Sequence, residues 1–168
     1  MELRMKPLLV SHRWVAREPD WTVAAIAGFG AGGILMLLEL LFATATGVDP
    51  WRTPRLIAAM VLGDPVLQVQ GYNLSVLIAA LVIHYVLGIV FGFVLGALIA
   101  PFHLDSSIAL VLATGAVFGA VLYLFNFYVV ASALAWFIEL RGWTTLLGHV
   151  VFGMVAAFVY RQLERPTG

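Results

Sequence analysis

Four long apolar stretches take up most of this chain, and each is interrupted by one strongly polar residue. Glu39 interrupts the first, His84 the second, Asn126 the third and His149 the fourth. A helix that crosses a bilayer needs about 20 mostly apolar residues. Windows near 21–46, 73–100, 106–131 and 143–160 meet that requirement. Within lipid only helices and closed barrels satisfy every backbone group. The apolar runs are continuous and do not alternate with period two, so they read as helices and not as barrel strands. The expected fold is all-α: an integral membrane four-helix bundle with short interfacial helices.

Composition supports the same class. Hydrophobic residues make up 62% of the 168 positions and charged residues 11%, against about 25% charged in soluble domains. There is length for one domain over 21–160, with tails at 1–20 and 161–168. The net charge of zero gives no reason to expect a nucleic-acid partner. Cysteine is absent, which excludes disulfides, thiolate metal sites and cysteine nucleophiles. Residues 1–20 do not read as a secretory signal, because the apolar run Leu8–Val10 is short and charged residues follow it.

Basic residues set the expected orientation. Arg4, Lys6, Arg13, Arg17, Arg161 and Arg165 lie on one side, and Arg52, Arg55 and Arg141 on the other. Six against three predicts both termini in the cytoplasm. Trp21, Trp51 and Trp143 fall near the predicted interfaces, as in an aromatic belt. Between the first two spans, Thr53 and Pro54 read as the N-cap and first residue of a short helix over 55–62, stopped by Gly63. It is expected in the outer interface, with Arg52 and Arg55 toward lipid headgroups. The segment 133–140 is expected to lie there too. Asp105, Ser106 and Ser107 read as an N-cap region, and His12 and His103 as solvated cytoplasmic histidines.

Glycines recur at four-residue spacing: Gly28 and Gly32, then Gly88, Gly92 and Gly96, then Gly115 and Gly119. Such faces let helices approach closely. The functional alternative is that they seat a flat cofactor or a lipid chain. Gly28–Gly33 matches G-x-G-x-x-G by letter, but it lacks the preceding strand and exposed helix N-terminus that bind pyrophosphate. A faint repeat joins the halves: His84…Gly88 matches His149…Gly153, and Gly28…Glu39 matches Gly115…Asn126.

Ionisable groups inside a membrane are costly, which makes them pointers to function. From the 1.5 Å rise per residue, Glu39 lies roughly 10 Å, His84 about 16 Å, Asn126 about 7 Å and His149 about 9 Å from the outer ends of their helices. All four fall in the outer half, and Tyr123, one turn before Asn126, is placed to join them. Three chemistries use such a set. His84 and His149 are candidate ligands for a transition metal, with a carboxylate oxygen. They are also candidates for a haem iron, with the glycines leaving room for the ring. Glu39 with the histidines suits a proton or ion relay. The structural alternative is that the four hydrogen-bond across helices and fix register, at about 0.6 kcal/mol per bond. Arg52, Arg55, Glu139 and Arg141 are either a polar lid over Glu39 or side chains snorkelling to headgroups. No Ser/His/Asp spacing supports a hydrolase.

Glu39, Pro50–Arg55, Ile57–Ala59, His84, Asn126–Tyr128, Trp136–Phe137, Arg141–Trp143 and His149–Gly153 together resemble a group of small bacterial four-span membrane proteins, some labelled "sodium:proline symporter". The resemblance covers residues 28–160. It implies the four-span fold and a multi-pass place in the bacterial inner membrane, and it assigns no site residue. Sodium:solute symporters are long chains with broken helices at the site, an architecture that four unbroken spans do not supply. The leading expectation is a non-enzymatic accessory or ligand-binding subunit, embedded in membrane lipids and joined through its glycine faces into a homo-oligomer or a larger membrane complex. The second is a small proton-linked or ion permease built from several copies. The third is a haem or metal redox subunit.

Overall fold

A computed structural model describes residues 17–164. The described residues form helices and no strands: α1 (Trp21–Thr46), α2 (Arg52–Leu62), α3 (Leu74–Phe102), α4 (Ile108–Leu124) and α5 (Trp143–Leu163), with shorter turns between them. The chain is an all-α four-helix bundle. Helices α1, α3 and α5, and α4 with its continuation to Ser132, are each long and apolar enough to cross a membrane. Their outward faces carry bare apolar side chains such as Val82, Leu41 and Val117, exposed by 58%, 64% and 65%. A soluble bundle would cover such faces; in lipid they need no cover.

Short polar side chains start three of the long helices. Asp20 accepts from the Val23 amide at 3.0 Å, Asn73 from Val76 at 3.1 Å and Ser107 from Leu110 at 3.1 Å. Each satisfies an amide that the first turn leaves without a partner. Gly47, at φ 71°, closes α1 in the left-handed region. His103 closes α3 in the same region at φ 53°. Helix α3 runs two residues past the predicted end and carries Pro101 in its last turn.

Glycine contacts organise the bundle into two antiparallel pairs. In α1 and α3, Gly28 lies against the backbone of Gly88 and Gly92. In α4 and α5, Gly115 and Gly119 lie against Gly153 and the His149 carbonyl. A methyl group at any of these positions would meet a backbone atom of the facing helix. The G-x-G-x-x-G letters thus belong to a helix contact, and the glycine faces are used inside the chain. Gly28, Gly88, Gly92, Gly115, Gly119 and Gly153 are therefore not free to pack against a second copy. The half nearer the termini is filled by Leu95, Ile99, Val111, Ala156 and Tyr160, none more than 1% exposed.

Two sequence expectations change at the other end. Helix α2 begins at Arg52, with Trp51 in the capping position and no side-chain cap, so Thr53 is not the N-cap. Its buried Ala58 packs with Val76 and Ala80 of α3. The third span is not an unbroken α-helix. After Leu124 it widens to a π-helical turn over Phe125–Val129 and tightens to a 3₁₀ turn over Val130–Ser132. π turns insert a residue into the hydrogen-bond ladder and re-aim the side chains they carry. Asn126 sits in this one.

At the end holding the described termini, Arg17 joins Asp105 at 2.6 Å and Glu164 at 3.0 Å. The Tyr160 hydroxyl donates to Glu164 at 3.0 Å and accepts from the Asp20 amide at 3.1 Å. This cluster ties the start of α1, the α3–α4 turn and the end of α5 together. Arg4, Lys6, His12, Arg13, Arg165 and the short apolar run Leu8–Val10 lie outside the described residues.

Candidate functional site

Glu39, His84, Asn126 and His149 line one cavity of about 220 Å³ at the α2 end of the bundle. Each comes from a different span. Glu39 lies three helical turns beyond the Gly28 contact, while His84 and His149 each precede a contact glycine by one turn. The glycine contacts hold the helix pairs close in one half, and the cavity occupies the other. Gly32, Leu35, Phe91, Leu122 and Phe152 form its base. Thr53, Ile57 and Met60 of α2 contribute a further wall, as do Phe137 and Leu140 of the 3₁₀ turn over Ala135–Leu140. The Trp136 indole joins these two elements by donating to the Leu56 carbonyl at 3.1 Å.

Backbone carbonyls fix both histidine tautomers. His84 donates from Nε2 to the Gly32 carbonyl across the α1–α3 contact at 2.8 Å. His149 donates from Nδ1 to the Thr145 carbonyl of its own helix at 2.9 Å. A carbonyl only accepts, so each of these nitrogens carries the proton. In the neutral rings the lone pairs are then on His84 Nδ1 and His149 Nε2. The Asn126 amide nitrogen lies 3.5 Å from His149 Nε2, long for a hydrogen bond. The rings of Tyr123 and Phe127 stand edge-on to His149 at 6.0 and 5.3 Å. Tyr123 does not line the cavity; it buttresses His149 and accepts from the Gly142 amide at 3.2 Å.

Glu39 differs from the other three. Among the described residues its carboxylate makes no hydrogen bond and no ion pair. It also borders a second space of about 560 Å³ that lies between α1, the start of α2 and the start of α5. Asp49, Arg52, Glu139 and Arg141 line this vestibule. Their charges are largely matched. Arg52 pairs with Glu139 at 2.9 Å and Arg55 with Asp49 at 2.5 Å. The Arg55 bond, and then the Trp51 amide, hold the Asp49 carboxyl below its ordinary range. Arg141 donates to the Phe127 carbonyl at 2.6 Å and lies 4.3 Å over the Tyr128 ring. It thereby satisfies a carbonyl of the π turn that carries Asn126. Arg52, Arg55 and Arg141 are thus each engaged by groups of the protein itself.

The residues do not make a complete metal or haem site. His84 spends Nε2 on Gly32, so the two histidines cannot present matching Nε2 lone pairs to one iron in this conformation. Among the described residues no three His, Asp or Glu side chains gather closely enough to hold a metal ion.

Sequence reasoning missed the aromatic lining and the role of α2. Phe91, Phe125, Phe127, Phe137 and Phe152 are not separable from ordinary apolar residues of a span by composition. The signal for α2 was present: Thr53, Ile57 and Met60 follow helical spacing on one face. That face lines a cavity. Compared with protein-family models, with curated proteins and with solved structures, the chain matches none.

Proposed function

We propose that this chain is a non-enzymatic, ligand-binding protein of the bacterial inner membrane, with both termini in the cytoplasm and its cavity in the outer half. The observation that carries this reading is the cavity itself: an apolar pocket with a few converging polar groups, one of them a carboxylate without a partner. Small-molecule sites have that make-up. The vestibule supports entry from the α2 end. The six basic residues toward the termini against three at the α2 end support the orientation. As an accessory subunit the chain would pass its ligand to, or sense it for, a partner bound on another surface.

A permease reading draws on one observation, that Glu39 borders both spaces. Leu95, Ile99 and Tyr160 are buried in the half nearer the termini, so this reading places the path between copies of the chain. Proton flux into liposomes carrying the wild-type chain would favour it instead.

Native mass spectrometry tests the ligand reading. Protein taken from its own membrane into nanodiscs should carry a small-molecule adduct, and Ile57→Trp, which fills the pocket from α2, should lose it. An adduct unchanged in Ile57→Trp, or none in the wild type, contradicts the proposal.

A further inference from the structure

The polar atoms facing the cavity are mostly acceptors. The Glu39 carboxylate accepts only. His149 has committed its Nδ1 proton to Thr145 and His84 its Nε2 proton to Gly32. Of the side chains that converge from the four spans, Asn126 alone has N–H groups to spare. The Thr53 and Thr145 hydroxyls, which donate or accept, complete the polar lining, so a ligand that brings donors matches this set.

Charge narrows the choice. A carboxylate without a partner in apolar surroundings is costly, and an opposite charge offsets that cost. Neither Arg52 nor Arg141 provides it, since Arg52 is committed to Glu139 and Arg141 to Phe127 and Tyr128. The aromatic wall adds negative ring faces, which favour a cation at close range. Size narrows it further. An apolar cavity of about 150 Å³ accepts benzene, so the 220 Å³ here takes one ring, or an aliphatic chain of similar bulk, with a short polar arm.

Resting on the ligand-binding reading above, we infer that the cavity binds a small amphipathic ammonium, its cationic N–H groups on Glu39, His149 and Asn126 and its apolar body among the phenylalanines. The vestibule is the entrance, and Glu39 stands at the junction where the cation leaves water.

Calorimetric titration of the protein in nanodiscs, with empty nanodiscs subtracted, tests this with three probes of like size. These are phenethylamine (ammonium), propylbenzene (neutral) and phenylacetate (anion). Phenethylamine should bind saturably, one per chain, and more tightly than the other two. Glu39→Gln should weaken phenethylamine by about 30-fold or more, as for loss of one partner of a buried charge pair, and leave propylbenzene nearly unchanged. The wild-type ranking stands as a test even if Glu39→Gln fails to fold. Propylbenzene or phenylacetate binding as tightly as phenethylamine, or phenethylamine indifferent to Glu39→Gln, overturns the ammonium assignment and leaves the ligand-binding reading in place. Saturable binding of none of the three overturns the assignment and counts against the pocket as a small-molecule site.

Discussion

Gly119→Ala should destabilise the bundle by about 3 kcal/mol or prevent its assembly, while Gly30→Ala should leave it unchanged or slightly firmer. Both substitutions add one methyl group to a membrane-spanning helix. At Gly119 the new carbon would overlap the His149 carbonyl and come within 2.8 Å of the Val150 Cα. Backbone atoms cannot rotate away as a side chain can, so α4 and α5 must separate. At Gly30 nothing lies within 4 Å, and alanine is the better helix former by up to about 1 kcal/mol. Thermal unfolding in detergent compares the two. Equal melting temperatures would show that the glycine contacts do not hold the pairs. The same separation would also pull His149 out of the cavity wall, so Gly119→Ala should lower phenethylamine binding wherever the protein still folds.

The second large effect is expected at the opposite end. Arg17 stands between two carboxylates whose side chains are only 11% (Asp105) and 7% (Glu164) exposed. Arg17→Ala leaves them facing each other without a cation. Breaking a buried pair by removing one partner costs about 3–5 kcal/mol. Arg17 is itself 26% exposed, so solvent screening lowers the expectation to about 2 kcal/mol. The loss carries a pH signature. Burial already holds the Glu164 carboxyl above its ordinary 4.5, against the pull of the Tyr160 hydroxyl and of Arg17. Without Arg17 that value rises further. A carboxyl raised on folding destabilises in its ionised form, and the penalty fades as pH falls through the raised value. The gap between Arg17→Ala and wild type should therefore be widest at neutral pH and narrow on acidification. A gap that widens in acid would contradict the assigned role of Arg17.

How far the sequence reached follows from which forces set each feature. Span number and span ends come from local quantities: apolar run length and, for the third span, the Asp105–Ser107 cap region. Which glycine faces meet is set by contacts between helices that spacing alone does not assign. The convergence of Glu39, His84, Asn126 and His149 was legible only as a shared depth, because helix rotation is set by packing. Besides the aromatic lining and the role of α2, three features escaped. The π turn at Phe125–Val129 has no proline or glycine to announce it, and its freed carbonyl is satisfied from a distance by Arg141. Thr53 and Pro54 look like a cap and first residue, yet Asp49 accepts from the Trp51 amide at 3.0 Å and starts the turn earlier. Tyr123 lies in the last turn of α4, and the π turn that follows carries Asn126 into the cavity and leaves Tyr123 behind His149.

The four polar residues line a cavity that opens toward the α2 end, and do not make a closed hydrogen-bonded core. The chain has no cysteine, so one introduced thiol reports alone. Asn126→Cys lies in the cavity and Leu95→Cys in the closed half, where Leu95 is 1% exposed. The measurement is the rate at which aminoethyl methanethiosulfonate, a small ammonium reagent, modifies each variant in nanodiscs. The structure predicts that Asn126→Cys reacts, that phenethylamine protects it, and that Leu95→Cys stays unmodified. Equal rates at the two positions, or an inert Asn126→Cys in a folded protein, would contradict the account.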